Sequence, residues 1–176
     1  MTAEDHVALL EGGVVEGTWA DLGAGSGAFT TALARLLGPT ATIYAVDVDA
    51  RALREAGARM ADAFPPVLFT AITADFTASL DLPLLDGICM ANSLHFHRDH
   101  CGILRHVTRL LKPSGRLLLV EYDIDRPSPW VPYPLHSTRL AETARCAGLA
   151  PPQILGTRPS RWHGRVYSAL LRAPSD

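Results

Sequence analysis

The stretch Trp19-Ala20-Asp21-Leu22-Gly23-Ala24-Gly25-Ser26-Gly27-Ala28-Phe29-Thr30 changes character midway. It opens as a short apolar run suited to a buried strand and closes where apolar residues begin to recur at helical spacing, with three glycines at the change. Glycines there let the backbone approach a ligand closely, and the helix N-terminus adds free N–H groups and a partial positive charge. The acid two residues ahead of the first glycine narrows the choice of ligand. A carboxylate at Asp21 repels a pyrophosphate and suits a cationic ammonium group.

Outward from this turn, short apolar runs alternate with amphipathic ones, the pattern of an α/β fold with a parallel sheet covered by helices. Strands are expected at about 17–22, 41–48, 67–72, 85–92 and 116–123. The first helix runs from the glycines to about residue 37 with Phe29, Leu33, Leu36 and Leu37 inward, and Gly38-Pro39 ends it. A second, at about 49–63, has Asp49 as N-cap and Leu53, Ala56 and Met60 on one face, and Pro65-Pro66 stops it. A third is expected over 100–111, followed by Lys112-Pro113-Ser114-Gly115 as the turn into the fifth strand. Residues 126–134 hold four prolines and read as a long loop. A helix over 136–148 then leads into two strand-like runs at 153–159 and 165–173, joined closely enough for a hairpin, so the final strand is expected to be antiparallel.

Length and composition bound the function. The 176 residues fit one domain spanning 1–176, with a short N-terminal helix within 1–16 and the proline-rich loop, 126–135, beside the acceptor site. With 48% hydrophobic and 19% charged residues and a net charge of -2, the chain reads as a soluble globular protein without the electrostatic footprint of a nucleic-acid binder. Cys89, Cys101 and Cys146 are widely spaced and suggest neither a disulfide framework nor a zinc site, which fits a reducing cytoplasm. No signal-peptide pattern or membrane-spanning run is present, so a cytoplasmic location is expected.

The spacing Gly23, Gly25, Ala28, with Asp47 ending the second strand, also satisfies a dinucleotide fingerprint, so a nicotinamide oxidoreductase is an alternative. Asp21, Asp75 after the third strand and the antiparallel final strand favour another cofactor. In Asp21–Gly27 "DLGAGSG", Tyr44–Asp49 "YAVDVD", Ala74–Phe76 "ADF" and Leu110–Tyr122 "LLKPSGRLLLVEY", in this order and spacing, the chain resembles the class I S-adenosylmethionine-dependent methyltransferases over nearly its whole length. The resemblance implies a three-layer Rossmann-like sandwich with a seven-stranded, mostly parallel sheet in the order 3-2-1-4-5-7-6 and an antiparallel last strand. It implies that Asp21 and the backbone of Gly23, Ala24, Gly25 and Gly27 hold the methionine portion and that Asp47 accepts hydrogen bonds from the ribose hydroxyls. Val48 and Phe76 would flank the adenine, Asp75 would accept from its amine, and Asn92 and Ser93 would lie near the methyl-bearing sulfur.

Methyl transfer asks chiefly for alignment in a dry site, and a general base is optional. His95 and Tyr122 are the catalytic candidates, with Ser93, His97, Glu121, Trp130, Tyr133 and His136 in the neighbouring segments and Arg158, Arg161 and His163 as possible holders of an anionic acceptor. His95, His97 and His100 lack the carboxylates a metal-dependent transferase needs, and no metal is expected. Ala91-Asn92-Ser93-Leu94 departs from the Asn/Asp-Pro-Pro-aromatic motif of enzymes acting on adenine or glutamine amides, and no active-site Pro-Cys is present, so the expected acceptor is the oxygen, nitrogen or carbon of a small molecule. The short segment ahead of the glycines leaves the acceptor pocket open or completed by a second subunit in a homodimer. A non-catalytic protein that binds S-adenosylmethionine is the third reading.

Overall fold

A computed structural model describes residues 1–160 and 164–174. Seven strands form one sheet: β1 (Thr18–Leu22), β2 (Thr42–Asp47), β3 (Leu68–Thr73), β4 (Leu85–Ala91), β5 (Leu111–Tyr122), β6 (Gln153–Pro159) and β7 (Arg165–Leu171). Their order is β3-β2-β1-β4-β5-β7-β6, with β7 antiparallel to both neighbours and every other pairing parallel, as the sequence led us to expect. The helices are α1 (Ala3–Leu10), α2 (Ala28–Leu37), α3 (Ala50–Ala63), α4 (His100–Val107) and α5 (Ser137–Cys146).

The central strands are apolar on both faces because both are covered, and alternate residues feed two cores. Trp19, Ile43, Cys89, Ala91, Leu118 and Val120 point to the face packed by Leu9 and Leu10 of α1, Phe29 and Leu33 of α2 and Met60 of α3. Ala20, Val46, Ile88, Met90, Leu117 and Leu119 point to the opposite face, packed by Ile103, Leu104 and Val107 of α4 and Leu140 and Ala144 of α5. Local signals set the ends of these elements. A capping box between Thr2 and Asp5 starts α1, the Asp49 carboxylate accepts from the amides of Arg51 and Ala52 to start α3, and left-handed Gly38 closes α2.

The structure differs from the sequence expectation at four places. The segment 112–115 is no separate turn but an arch inside β5, where Leu85 pairs with Leu111 and Gly87 already pairs with Arg116. The helix expected over 100–111 ends at Val107 and tightens into a 3-10 turn, Thr108–Leu110. The proline-rich segment contains a reciprocal backbone pair between Ser128 and Val131, which puts Trp130 at an exposed tip and buries Val131. Most consequentially, Cys101 of α4 and Cys146 of α5 form a disulfide across a Cα separation of 5.8 Å. Nothing in their spacing announces it, because the two cysteines meet only when the helices pack side by side on one face of the sheet. Cys89 stays a buried free thiol, as core packing requires.

The bridge closes a loop of 45 residues, so its loss is expected to lower stability by about 2–4 kcal/mol. Thiol titration of unfolded protein prepared without reductant should find Cys89 alone, and urea unfolding with and without reductant should show the difference. Equal midpoints would remove the bridge from the structure's support.

Candidate functional site

The carboxyl ends of β1, β2, β4 and β5 bring the candidate residues to one edge of the sheet, where ligands of open α/β folds bind. At the end of β1 the amides of Gly23 and Ala24 both donate to the Val46 carbonyl, at 2.8 and 3.1 Å. Gly23, Gly25 and Gly27 all have positive φ, at 80°, 52° and 85°. A Cβ on Gly23 would lie 2.4 Å from the Ser93 Cβ and one on Gly27 2.8 Å from the Ala56 Cβ, whereas Gly25 meets nothing within 4 Å. Two of the glycines therefore seat the turn against its neighbours, and the middle one keeps space open.

Asp21 is buried beneath this turn. Thr30, in the first turns of α2, donates its hydroxyl to Asp21 Oδ2 at 2.6 Å, while Oδ1 is buried without a hydrogen-bond partner. Burial raises the Asp21 pKa to about 6; the Thr30 hydroxyl opposes that rise and the nearby charge of Asp47 adds to it. Asp47 Oδ2 accepts the Gly25 amide at 2.7 Å and Oδ1 the Asp49 amide at 2.9 Å. The Gly25 N–H, expected to be free for a ligand, is thus held by Asp47 in this state.

Asp75 is exposed, and its Oδ1 accepts from both the amide and hydroxyl of Thr77, a turn that leaves Oδ2 free. Phe76 is buried with its ring against the Gly23 turn and edge-on to His97 at a centroid distance of 5.1 Å. Val48, 70% exposed, stands beyond the end of β2.

After β4 the backbone is strained. Asn92 has φ of 53°, uncommon for a residue with a side chain, and its Oδ1 is buried without a partner. Ser93 donates its hydroxyl to the Leu22 carbonyl at 2.8 Å, tying this loop to the glycine turn. His95 follows, buried, with Nδ1 2.6 Å from Oε2 of the fully buried Glu121. Glu121 Oε1 also accepts the amides of Leu94 and His95, at 2.9 and 3.2 Å. An ionised carboxylate only accepts, so the network assigns the imidazole proton to Nδ1 and leaves the lone pair on Nε2. The rings of Phe96 and Tyr122 flank His95, at centroid distances of 4.4 and 5.7 Å. Burial raises the Tyr122 pKa, which keeps its phenol protonated at neutral pH.

Other candidates are committed elsewhere. His136 caps α5, its Nδ1 accepting the Thr138 amide and its Nε2 lying 3.4 Å from Asp123. Arg158 pairs with Asp5 at 3.7 Å and donates to the Thr157 carbonyl, so its expected role toward an anionic acceptor is not supported. Arg161 and His163 lie outside the described residues. Tyr133 donates its amide to the His95 carbonyl at 3.0 Å, which brings the proline-rich loop to the site. Thr30 escaped the sequence reading although it stands in the opening motif; a hydroxyl one helical turn beyond the glycines was its available signal.

The family model described as a methyltransferase domain matches residues 20–117, more than half of the chain. The chain belongs to the class I S-adenosylmethionine-dependent methyltransferases. Membership, with the strand order above, sets the nicotinamide alternative aside. No curated protein matches the sequence. Among solved structures, an arsenic(III) S-adenosylmethionine methyltransferase from Chlamydomonas reinhardtii is similar at 21% identity and a TM-score of 0.70, covering 90% of this chain and 64% of its own. This chain therefore spans just under two thirds of that relative. The YcgJ protein of Bacillus subtilis is similar at 15% identity and a TM-score of 0.75, over 98% of this chain and 100% of its own. A Burkholderia thailandensis 1,6-didemethyltoxoflavin N1-methyltransferase, solved with its acceptor and S-adenosylhomocysteine, is similar at 20% identity and a TM-score of 0.72, over 98% and 78%. Among the described residues no group of three or more His, Cys, Asp or Glu side chains could hold a metal ion, and no helix is long and apolar enough to cross a membrane.

The His95–Glu121 pair yields a prediction independent of activity. Glu121→Gln keeps an acceptor for the two amides but presents an N–H to Nδ1, so the imidazole proton should move to Nε2 at a cost of about 1–3 kcal/mol in stability. Nitrogen chemical shifts of the His95 ring read the tautomer directly. An unchanged ring would mean that Glu121 does not set it.

Proposed function

We propose that the chain binds S-adenosylmethionine across the carboxyl ends of β1, β2 and β4 and transfers its methyl group to an oxygen, nitrogen or carbon of a small-molecule acceptor. The observation that carries this reading is Asp21, a buried carboxylate whose Oδ1 has no hydrogen-bond partner among the described residues, beneath three left-handed glycines. Leaving a buried carboxylate oxygen unpaired costs stability, and a cationic ammonium is the group whose charge completes it.

The donor, when bound, supplies an electrophilic methyl group carried on a sulfonium. Asp21 and the backbone of Gly23, Ala24, Gly25 and Gly27 would hold its amino-acid portion. Asp47 would accept from the ribose hydroxyls in exchange for its bond to the Gly25 amide. Val48 and Phe76 would bound the adenine, Asp75 would accept from its amine through Oδ2, and Asn92 and Ser93 would face the methyl group. His95 would take the acceptor's proton at Nε2 while Nδ1–H remains on Glu121, whose charge stabilises the imidazolium so formed. Tyr122, kept protonated, would wall the imidazole and exclude water. The varied acceptors in the names of structural neighbours, an arsenic(III) species and a didemethyltoxoflavin among them, support a small acceptor without fixing its identity.

Calorimetric titration with S-adenosylhomocysteine tests the site. Asp47→Ala should weaken binding by about 1.5–3 kcal/mol, the range for hydrogen bonds to a charged group; unchanged affinity would remove Asp47 from the ribose site. Formation of S-adenosylhomocysteine from S-adenosylmethionine across a panel of phenols, amines and acids separates an enzyme from a binding protein, and His95→Ala should abolish turnover while sparing donor affinity.

The pH dependence has a definite sign. Asp21 titrates at about 6 in the free chain, and an ammonium ligand favours its ionised form. Affinity should therefore be full above pH of about 6 and fall below it, by up to about tenfold per unit. Asp21→Asn should weaken binding and flatten this dependence. A wild-type affinity constant between pH 7 and 5 would detach Asp21 from the ligand's charge.

A further inference from the structure

Beside the His95 loop, two adjoining clefts of about 270 and 310 Å³ share Arg98, His100 and Arg139 in their walls. Two segments supply them: Arg98 and His100 stand just before and at the start of α4, and Arg139 lies in the first turn of α5. Arg139 donates through Nη2 to the Pro134 carbonyl at 2.6 Å, which holds its guanidinium against the proline-rich loop. Among the described residues neither Arg98 nor Arg139 takes part in an ion pair. Three acids also line the clefts: Asp125 borders the first, 3.9 Å from His136 Nε2, and Asp99, which accepts the Gly102 amide at 2.8 Å, and Glu142 border the second.

In the same clefts His100 Nε2 is buried without a hydrogen bond, although the Tyr133 backbone lies near enough to the ring to favour its protonated form. Burial pushes this imidazole below its ordinary range, so it is neutral at pH 7 and the positive charge of the cleft belongs to the arginines. Exposed arginines without partners are common. Two that share a cleft with a buried, unsatisfied ring nitrogen are not, because a buried polar atom left unpaired is costly and calls for a ligand. A guanidinium fork matches the planar oxygens of a carboxylate or the oxygens of a phosphate. Tyr133 joins this cleft to the chemistry: it lines the first cleft, and its amide bonds to the His95 carbonyl at 3.0 Å. Pro127, Pro132 and Pro134 complete a flat apolar wall there.

We infer that this cleft is an oxyanion subsite for the acceptor: Arg98 and Arg139 hold a carboxylate or phosphate, His100 Nε2 offers a further hydrogen bond, and the rest of the acceptor lies along Tyr133 toward His95. The inference rests on the proposed methyl transfer for its meaning, and it names a pair of arginines from the start of α4 and from α5 in place of Arg158.

The test compares 4-hydroxybenzoate with phenol, which lacks only the carboxylate, and with inorganic phosphate, each titrated into free and S-adenosylhomocysteine-loaded protein while backbone amide shifts are followed. 4-Hydroxybenzoate should shift the amides of residues 98–102 and 133–139 saturably, phenol should not, and phosphate should bind at least about tenfold more weakly than the carboxylated ring. Arg98→Ala, and Arg98→Ala with Arg139→Ala, should each reduce 4-hydroxybenzoate affinity by about tenfold or more, with S-adenosylhomocysteine affinity within about twofold of the parent. Absence of saturable shifts at these residues, equal binding of phenol, equal binding of phosphate as at a general anion site, or indifference to the arginine variants would each overturn the inference. Failure of the parent protein to bind S-adenosylhomocysteine would instead sink the proposed function, and the titration of the free protein judges the cleft separately.

Discussion

One buried carboxylate fixes the loop that follows β4. Glu121, next to last in β5, has no access to solvent, and both of its oxygens are committed to that loop: two amides on one, the His95 imidazole on the other. A charge at that depth is tolerable only if it is fully bonded, so the loop cannot leave without exposing an unpaired ion to an apolar interior. The constraint propagates. His95 is held by its ring and its amide, its carbonyl accepts the Tyr133 amide, and the proline-rich segment is thereby drawn over the ends of β4 and β5. Ser93, two residues earlier, is tied to the end of β1, so the same loop also abuts the glycine turn.

The glycine turn is built on the opposite logic. Where Glu121 is saturated, Asp21 has one oxygen bonded to Thr30 and one left without a partner, and Asn92 repeats the pattern on a strained backbone. Such groups cost the free protein stability, and natural proteins keep them where function needs them. The two carboxylates thus differ in kind: both oxygens of Glu121 are bonded, and one of Asp21 has no partner among the described residues.

Much of this was legible in the sequence because it is local. The glycines sit where a strand becomes a helix, Asp49 precedes a run with helical period, and the strands hold short apolar stretches, so the elements followed from pattern and the sheet order from family resemblance, while the end of α4 and the start of β5 did not. Contacts that join distant segments were not legible. Nothing within the sequence around Glu121 says that its partners are at 94 and 95; nothing in the spacing of Cys101 and Cys146 says that α4 and α5 bring them together; and Arg98 and Arg139 become neighbours only through helix packing on one face of the sheet. Arg158 shows the converse error. It is a plausible anion holder by position that tertiary structure pairs with Asp5 instead.

The connection from β3 to β4 contains no helix, and β3 is the outermost strand on its side, with most of its residues exposed or half-buried. In terms of hydrogen exchange, this edge, like the β6 edge, is expected to open readily, since neither outermost strand has a buried residue to oppose local unfolding. Asp47 and Asp75 lie at the ends of β2 and the segment just beyond β3. A ligand spanning from the glycine turn to Asp75 would therefore act as a ligament, binding this margin of the sheet to its buried central strands, so that occupancy of the site and order at the β3 edge would rise together.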